Sequence, residues 1–357
     1  MKLPHTSLEG KHLPVMIDEV IKICNPKNGG NFMDCTFGAG GYSKELLKFR
    51  STKVVAFDRD SHVIELANKL KDNFQSRFVF YNKKFSKIDL TSPNKFDAVI
   101  FDLGLSSIQL DDLSRGFSFR SKSELNMSMG QTEISAKKVV NTYSSQDLRD
   151  ILKIFGEEQD ATKISRNIVK ERIKNDIKTT DELVRIIKRS KKKNYKKINE
   201  STKTFQAIRI FVNKEVNELI EGVIKATKIL KPGGKLIVIS FHSIEDKIIK
   251  FYFKNFSKNR SRSNKYLPEN VDNLSLFDDY KNKVIKASSK EVKRNPRSRS
   301  AKLRVAIRSS DKFIDPEELR KKFKYLTDLE KRIAWYKINN IYSGFFIIII
   351  LYFCNQK

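Results

Sequence analysis

A chain of 357 residues can bury a full core and hold one large domain or two ordinary ones. Its formal charge of +29, from 71 Lys+Arg against 42 Asp+Glu, points to a polyanionic partner such as nucleic acid or an anionic membrane surface, although an AT-rich genome would itself enrich Lys, Asn, Ile and Phe. Three cysteines without a CxxC spacing and four scattered histidines exclude a disulfide framework and a zinc motif, and the N-terminus has no apolar signal region, so a cytoplasmic protein is expected.

In chain order, residues 15–24 have helical spacing of apolar side chains, ended by Asn25-Pro26 and Gly29-Gly30. Residues 31–35 read as a short strand, 36–41 as a glycine-rich turn, and 43 onward as a helix. Residues 53–57 read as a buried parallel strand with Asp58 at its carboxyl end. A helix over 63–70 and strands over 77–81 and 98–101 follow, the last ending in Asp102. No buried strand is visible between about 109 and 202. Helices are expected there over 145–155, 160–173 and 180–192, several opened by Ser, Thr or Asp caps. A long amphipathic helix over 204–230 leads through Pro232-Gly233-Gly234 to a strand over 235–240.

Further on, residues 257–282 are polar and loop-like. The alternation over 302–308 suits a sheet-edge strand with half its charges facing water. Residues 309–335 read as a charged helix. The apolar run 341–354 is shorter than the roughly 20 residues of a spanning helix, so no transmembrane span is expected, while weak membrane contact by this tail stays open. Strands alternating with helices predict an α/β fold with a mostly parallel sheet. The break in that rhythm predicts a helical insertion over 109–203, between core segments 1–108 and 204–308 and ahead of a tail over 309–357.

In such sheets ligands sit beyond the carboxyl ends of the strands, where the turn and both acids fall. Backbone N–H groups in a glycine turn opening a helix suit an anionic group, and Asp58 falls where ribose hydroxyls are held. The ligand is therefore expected to be a nucleoside-containing cofactor. Gly38-Ala-Gly40-Gly41 misplaces the third glycine of a dinucleotide site, and Tyr42-Ser43-Lys44 lacks the Lys-Ser/Thr of a P-loop. The turn instead resembles the first motif of S-adenosylmethionine-dependent methyltransferases. The Leu230-Lys-Pro-Gly-Gly234 turn resembles the one before the fifth strand of class I members.

A narrower likeness covers about residues 12–308. Asp102-Leu-Gly-Leu-Ser-Ser-Ile-Gln-Leu-Asp-Asp112, Arg115-Gly-Phe-Ser-Phe119, Thr204-Phe-Gln-Ala-Ile-Arg209, Ser240-Phe-His-Ser-Ile-Glu-Asp246 and Asn295-Pro-Arg-Ser-Arg-Ser-Ala-Lys-Leu-Arg304 resemble the RsmH (MraW) family of 16S rRNA cytosine-N4 methyltransferases. The resemblance implies a class I, Rossmann-like methyltransferase fold, S-adenosyl-L-methionine as cofactor, and methylation of a cytidine in the P-site region of the small ribosomal subunit. It implies cofactor contacts from Gly40, Gly41 and Tyr42, with Asp58 on the ribose, Phe85 near the adenine, and Asp102 and Gln109 closing the site. The insertion would be the RNA-side domain. The chain departs from the family pattern at Tyr42, where a histidine is usual, at Asn126 and Ser128 in Leu-Asn-Met-Ser-Met129, where an acid and a base are usual, and at Asn199-Glu200 and Lys203, where His-Pro and an arginine are usual.

Chemistry singles out Asp102 independently. Cytosine N4 is a poor nucleophile because its lone pair is delocalised into the ring, and an acceptor on its N–H frees that pair. Asp102, at a strand end beside the cofactor turn, is the best placed acceptor; a plain strand-end cap is the alternative. Ser106, Ser107 and His242 are candidate contacts to the base or a phosphate. The basic run from Lys188 to Lys197 and the stretch from Lys290 to Arg304 are candidate phosphate contacts. A DNA amino-methyltransferase would carry Asp/Asn-Pro-Pro-Tyr/Phe where this chain has Asp102-Leu-Gly-Leu, so DNA is not the expected substrate. A ribosome-binding assembly factor with weak catalysis is the alternative function, and the oligomeric state stays open.

Overall fold

Five short apolar runs, most ending in a polar residue, form the parallel part of the sheet in the computed structural model, which describes residues 13–88, 95–191, 199–259, 274–278 and 280–331. They are β1 (Gly30–Asp34), β2 (Thr52–Phe57), β3 (Phe78–Tyr81), β4 (Phe96–Asp102) and β5 (Leu230–Ser240). β6 (Ile285–Lys286) and β7 (Lys302–Ile307) complete a seven-stranded sheet of order β3-β2-β1-β4-β5-β7-β6, with β7 antiparallel to both neighbours. The strand order reverses between β1 and β4, so a crevice opens there beyond their carboxyl ends.

Alternate residues of each strand feed two cores. Phe32, Val54, Ile100 and Ile237 pack with α1 (Ile17–Cys24), α2 (Gly41–Leu47) and α3 (Ile64–Phe74). Met33, Val99, Phe101, Leu236 and Val238 face the other way. Both faces are covered, which is why the central strands read as continuous apolar runs. The mostly parallel α/β fold expected from the alternation, and the class I fold implied by the resemblance, are observed.

Between β4 and β5 the described chain is helical: α4 (Ser107–Asp111), α5 (Ala136–Thr142), α6 (Ser145–Gly156), α7 (Ala161–Arg172), α8 (Thr180–Ser190), α9 (Thr202–Asn213) and α10 (Glu215–Ile229). Side-chain caps open several of them. Ser144 accepts from Asp147 N–H, and Thr179 forms a reciprocal capping box with Glu182. Helices α11 (Ser243–Asn255), α12 (Ser289–Arg294) and α13 (Glu317–Lys322) follow β5. No helix among the described residues is long and apolar enough to cross a membrane.

Three expectations are corrected. The single helix over 204–230 is two helices, broken at Lys214, whose φ is +51°. Distant partners stabilise the break. Buried Asn213 donates to the carbonyls of Met127 and Arg209 (both 2.9 Å) and accepts from Met129 N–H (2.9 Å), while Arg209 pairs across the break with both oxygens of Glu215 (2.9 Å each).

Second, β7 is not the sheet edge, because β6 pairs outside it. Arg304 in it and Arg308 just past its end turn inward: Arg304 binds Asp246 (2.7 Å) and the Tyr280 hydroxyl (2.9 Å), and Arg308 donates to the carbonyls of Leu276, Ser309 and Asp311. Third, residues 309–316 are not helical, and the tail becomes helical only in α13 and again over 324–331.

This tail is anchored from both helical stretches. Arg320 pairs with both oxygens of Glu221 (2.7 and 3.0 Å), and buried Glu330 accepts from the N–H groups of Val216 (3.0 Å) and Asn217 (2.9 Å), capping α10. The run 341–354, most of 257–282 and residues 192–197 of the basic run lie outside the described residues.

Candidate functional site

The turn after β1 is stitched to both neighbouring strands. Cys35 N–H donates to Ile100 O (2.9 Å), Phe37 N–H to Phe57 O (2.9 Å), and Asp102 N–H to the Thr36 hydroxyl (2.8 Å). Gly40 has φ +76° and donates to Phe37 O, and a Cβ there would meet the Phe37 ring at 2.8 Å. At Gly41 a Cβ would sit 2.0 Å from Pro14. Both glycines are therefore fixed by close approach, and α2 starts from the turn.

Beyond the turn lies a cavity of about 390 Å³. Its wall includes Gly41, Tyr42, Asp58, Phe85, Asp102 and Gln109, together with Ser106, Ser107 and His242. Gly40 shapes the turn without facing the cavity. Three adjacent strands, β2, β1 and β4, deliver carboxylates at or just past their ends. Asp34 is fully buried and accepts from the Ser43 hydroxyl (2.8 Å) and Thr36 N–H (3.2 Å); burial pushes it up to about 6 against those bonds.

Asp58 accepts from Gly38 N–H (2.8 Å) and Asp60 N–H (2.9 Å), and burial likewise lifts it to about 6. Asp102 is pushed up to about 8, first by burial and then by the charges of Asp34 and Glu245, with the Tyr42 hydroxyl acting the other way. A negative cluster raised in this way suits a positively charged ligand.

Tyr42, where a histidine was expected, is buried. Its hydroxyl donates to Val15 O (2.5 Å) and lies 3.2 Å from Asp102 Oδ2. Asp102 Oδ1 is shielded from solvent and has no hydrogen-bond partner among the described residues. The other departures lie away from the cavity; among them Asn126 Oδ1 accepts from Ser128 N–H, and Lys203 donates to Glu157 O. Phe85 is half-buried and meets the edge of Phe101 at 5.2 Å between ring centroids.

Gln109 accepts from Ser106 N–H (3.0 Å) and donates to Asp60 Oδ2 (2.9 Å), tying the β4 loop to the β2 loop. Asp60 also binds Arg115 (2.5 Å), and both are buried. Sequence reasoning overlooked this pair, although Arg115 opens a quoted motif. It also overlooked Arg209, Glu215 and Glu245 in the wall, two of which sit inside quoted motifs. Glu215, His242 and Glu245 bring their ligand atoms within 4.8 Å of one another, but Arg209 holds both oxygens of Glu215 and opposes a cation there. Of the basic run, Lys191 is drawn inward to Glu158 (2.6 Å), while Lys188 and Arg189 are exposed. Arg297 reaches the cavity wall and pairs with Asp111 (2.5 Å).

Residues 9–309 match the MraW methylase family. The chain belongs to the MraW methylase family. This methyltransferase is 43% identical over 306 residues to the ribosomal RNA small subunit methyltransferase H of Ehrlichia ruminantium (strain Welgevonden), covering 83% of this chain and 99% of that one. It is 41% identical over 298 residues to the protein of the same name from Rickettsia massiliae (strain Mtu5), covering 83% and 97%. A solved rRNA methylase from Streptococcus thermophilus is similar at 10% identity and a TM-score of 0.38, over 84% of this chain and 99% of that one. The methyl donor of this methylase is S-adenosylmethionine.

Proposed function

We propose that this methyltransferase modifies the exocyclic N4 of a cytidine in the P-site region of 16S rRNA, within the small ribosomal subunit. The observation that carries the reading is Asp102 Oδ1, a shielded acceptor without a donor in the wall of the cofactor cavity. An orphaned acceptor in a dry wall costs roughly 1–3 kcal/mol unless a ligand supplies its donor. An amino group is such a donor.

The cavity suits the cofactor. Asp58 keeps lone pairs for two ribose hydroxyls, the half-buried face of Phe85 suits a purine, and the turn at Gly41 and Tyr42 suits the methionine end. Gln109 and Asp102 would close the far side. When bound, S-adenosylmethionine supplies an electrophilic methyl group on a sulfonium. Asp102 then holds one N–H of the base and orients N4 for in-line attack; orientation of this kind can lower a barrier by up to roughly 7–11 kcal/mol. The exposed bases Lys290, Lys293, Arg294 and Arg299 lie in and beside α12, in the segment that carries Arg297 to the cavity wall, and they suit rRNA phosphates. The helical segment over 109–203 is read as the RNA-side domain.

The test is transfer from labelled S-adenosylmethionine to small subunits purified from cells lacking this protein, followed by nucleoside mass spectrometry. N4-methylcytidine at a P-site cytidine is expected; label on another atom or no label would overturn the reading. A second expectation concerns Gly222 in α10, where a Cβ would sit 2.4 Å from the Phe85 ring. Gly222→Ala must displace that ring from its place in the cavity wall. Its cofactor affinity, measured by calorimetry, is expected to fall about tenfold, near 1.4 kcal/mol. Unchanged affinity would remove Phe85 from the cofactor site.

A further inference from the structure

A carboxylate that meets a base through one oxygen must be told which oxygen to offer. Asp102 ends β4, and its own N–H is anchored on the Thr36 hydroxyl (2.8 Å). Among the described residues its side chain has one hydrogen-bond partner, the Tyr42 hydroxyl, 3.2 Å from Oδ2. The terminal torsion of an aspartate is broad and roughly two-fold, so without such a partner either oxygen could face the cavity.

Tyr42 is itself firmly placed. Its ring, only 3% exposed, packs with α2 in the core on that face of the sheet. Its hydroxyl also reaches Val15 O (2.5 Å), and Val15 belongs to a clamped segment of the cavity wall. Met16 N–H donates to Glu291 Oε1 (2.6 Å), the Asn295 amide donates to Leu13 O (3.1 Å), and Pro14 lies against Gly41. The phenol oxygen therefore sits between a fixed backbone carbonyl and the Asp102 carboxylate.

One hydroxyl proton serves these two acceptors. With Asp102 neutral, a proton on Oδ2 is donated to the phenol oxygen while Tyr42 donates to Val15 O. With Asp102 ionised, the charged oxygen is the stronger acceptor and draws the phenol proton. Oδ2 is thus engaged in both protonation states, and Oδ1 is the oxygen left over. We infer that Tyr42 is a positioning residue for methyl transfer: by occupying Asp102 Oδ2, its hydroxyl sets the carboxylate plane and leaves Oδ1 to the target amino group. This rests on the N4-methylation reading. The same hydroxyl favours the charged carboxylate against burial, so removing it lifts the Asp102 carboxyl further.

The test is single-turnover methyl transfer to small subunits lacking the modification, using the full chain across a range of pH. Tyr42→Phe removes one oxygen and keeps the ring. It is expected to slow transfer about tenfold near pH 7, with cofactor affinity unchanged, and to move the rising limb of the pH profile upward. In an Asp102→Asn background the same change is expected to cost little more, because an effect exerted through the carboxylate vanishes with it. Equal losses in the two backgrounds, a rate within about twofold of wild type, or an unmoved limb overturns the assignment. If Tyr42→Phe does not fold, a ring-fluorinated tyrosine at position 42 supplies a stronger donor of nearly the same shape. The limb is then expected to move downward, and an unmoved limb overturns the assignment. Wild type run alongside separates the two claims. Without N4-methylcytidine from wild type the reading itself fails, whereas product from wild type and an unimpaired Tyr42→Phe sink only the role of Tyr42.

Discussion

The Asp102→Asn variant is expected to lose about 10²–10⁴-fold in turnover while keeping its fold. Among the described residues Oδ1 has no protein partner, so its full charge is available to a donor from the substrate. A neutral amide accepts more weakly and cannot respond to charge building on N4. The raised pKa of Asp102 gives the expectation a pH signature. Because the free carboxyl titrates near 8, kcat/KM of wild type should climb as pH rises toward 8, and this limb should flatten in the variant.

Stability should run the other way. The folded state holds this proton more tightly than an unfolded chain with an ordinary value of 3.8, so the carboxyl costs stability progressively as pH rises from about 4 to 8. Denaturant unfolding at pH 5 and pH 8 should therefore show a steeper decline for wild type than for Asp102→Asn. Near-normal turnover in the variant would remove Asp102 from the chemistry.

Asp60→Ala is expected to carry the largest stability loss, about 3–5 kcal/mol, because it strands the buried Arg115 guanidinium without a counter-charge. Urea unfolding measures it. The double variant Asp60→Ala with Arg115→Met should recover most of the loss, since no buried charge then remains unpaired. Burial alone would raise the Asp60 carboxyl, but Arg115, Gln109 and the His62 N–H outweigh it and hold the group below its ordinary 3.8. Its stabilisation is thus present above pH 4 and fades as acid drives the pH through the depressed value. If the single variant unfolds at the wild-type urea concentration, the pair is a bystander.

The strands, the turn and the catalytic-end acids were legible because they are local. A strand covered on both faces shows as an unbroken apolar run, and a glycine that must approach Phe37 or Pro14 marks its own turn. Lys214 was not legible, because its positive φ is imposed by Asn213, Met127 and Met129 rather than by any Gly or Pro nearby. Nor was the inward turn of Arg304 and Arg308. The alternation over 302–308 is real, but β6, only two residues long, covers the expected edge, and Asp246 and Tyr280 come from distant segments. At the site, Asp58 and Asp102 announced themselves at strand ends. The pairing of Gln109 with Asp60, or of Tyr42 with Asp102, joins segments far apart in sequence and becomes visible only once the sheet brings them together.

The carboxylate of Glu330 closes the first turn of α10 from beyond the end of the family match at residue 309. Val216, Glu218 and Leu219, in the opening turns of that helix, form cavity wall. A nascent chain therefore carries every family motif well before α10 is capped, and the capping carboxylate arrives only when synthesis has passed residue 330. A chain cut short after residue 309 would display the full methylase signature yet leave the amides of Val216 and Asn217 uncapped beside its own active site.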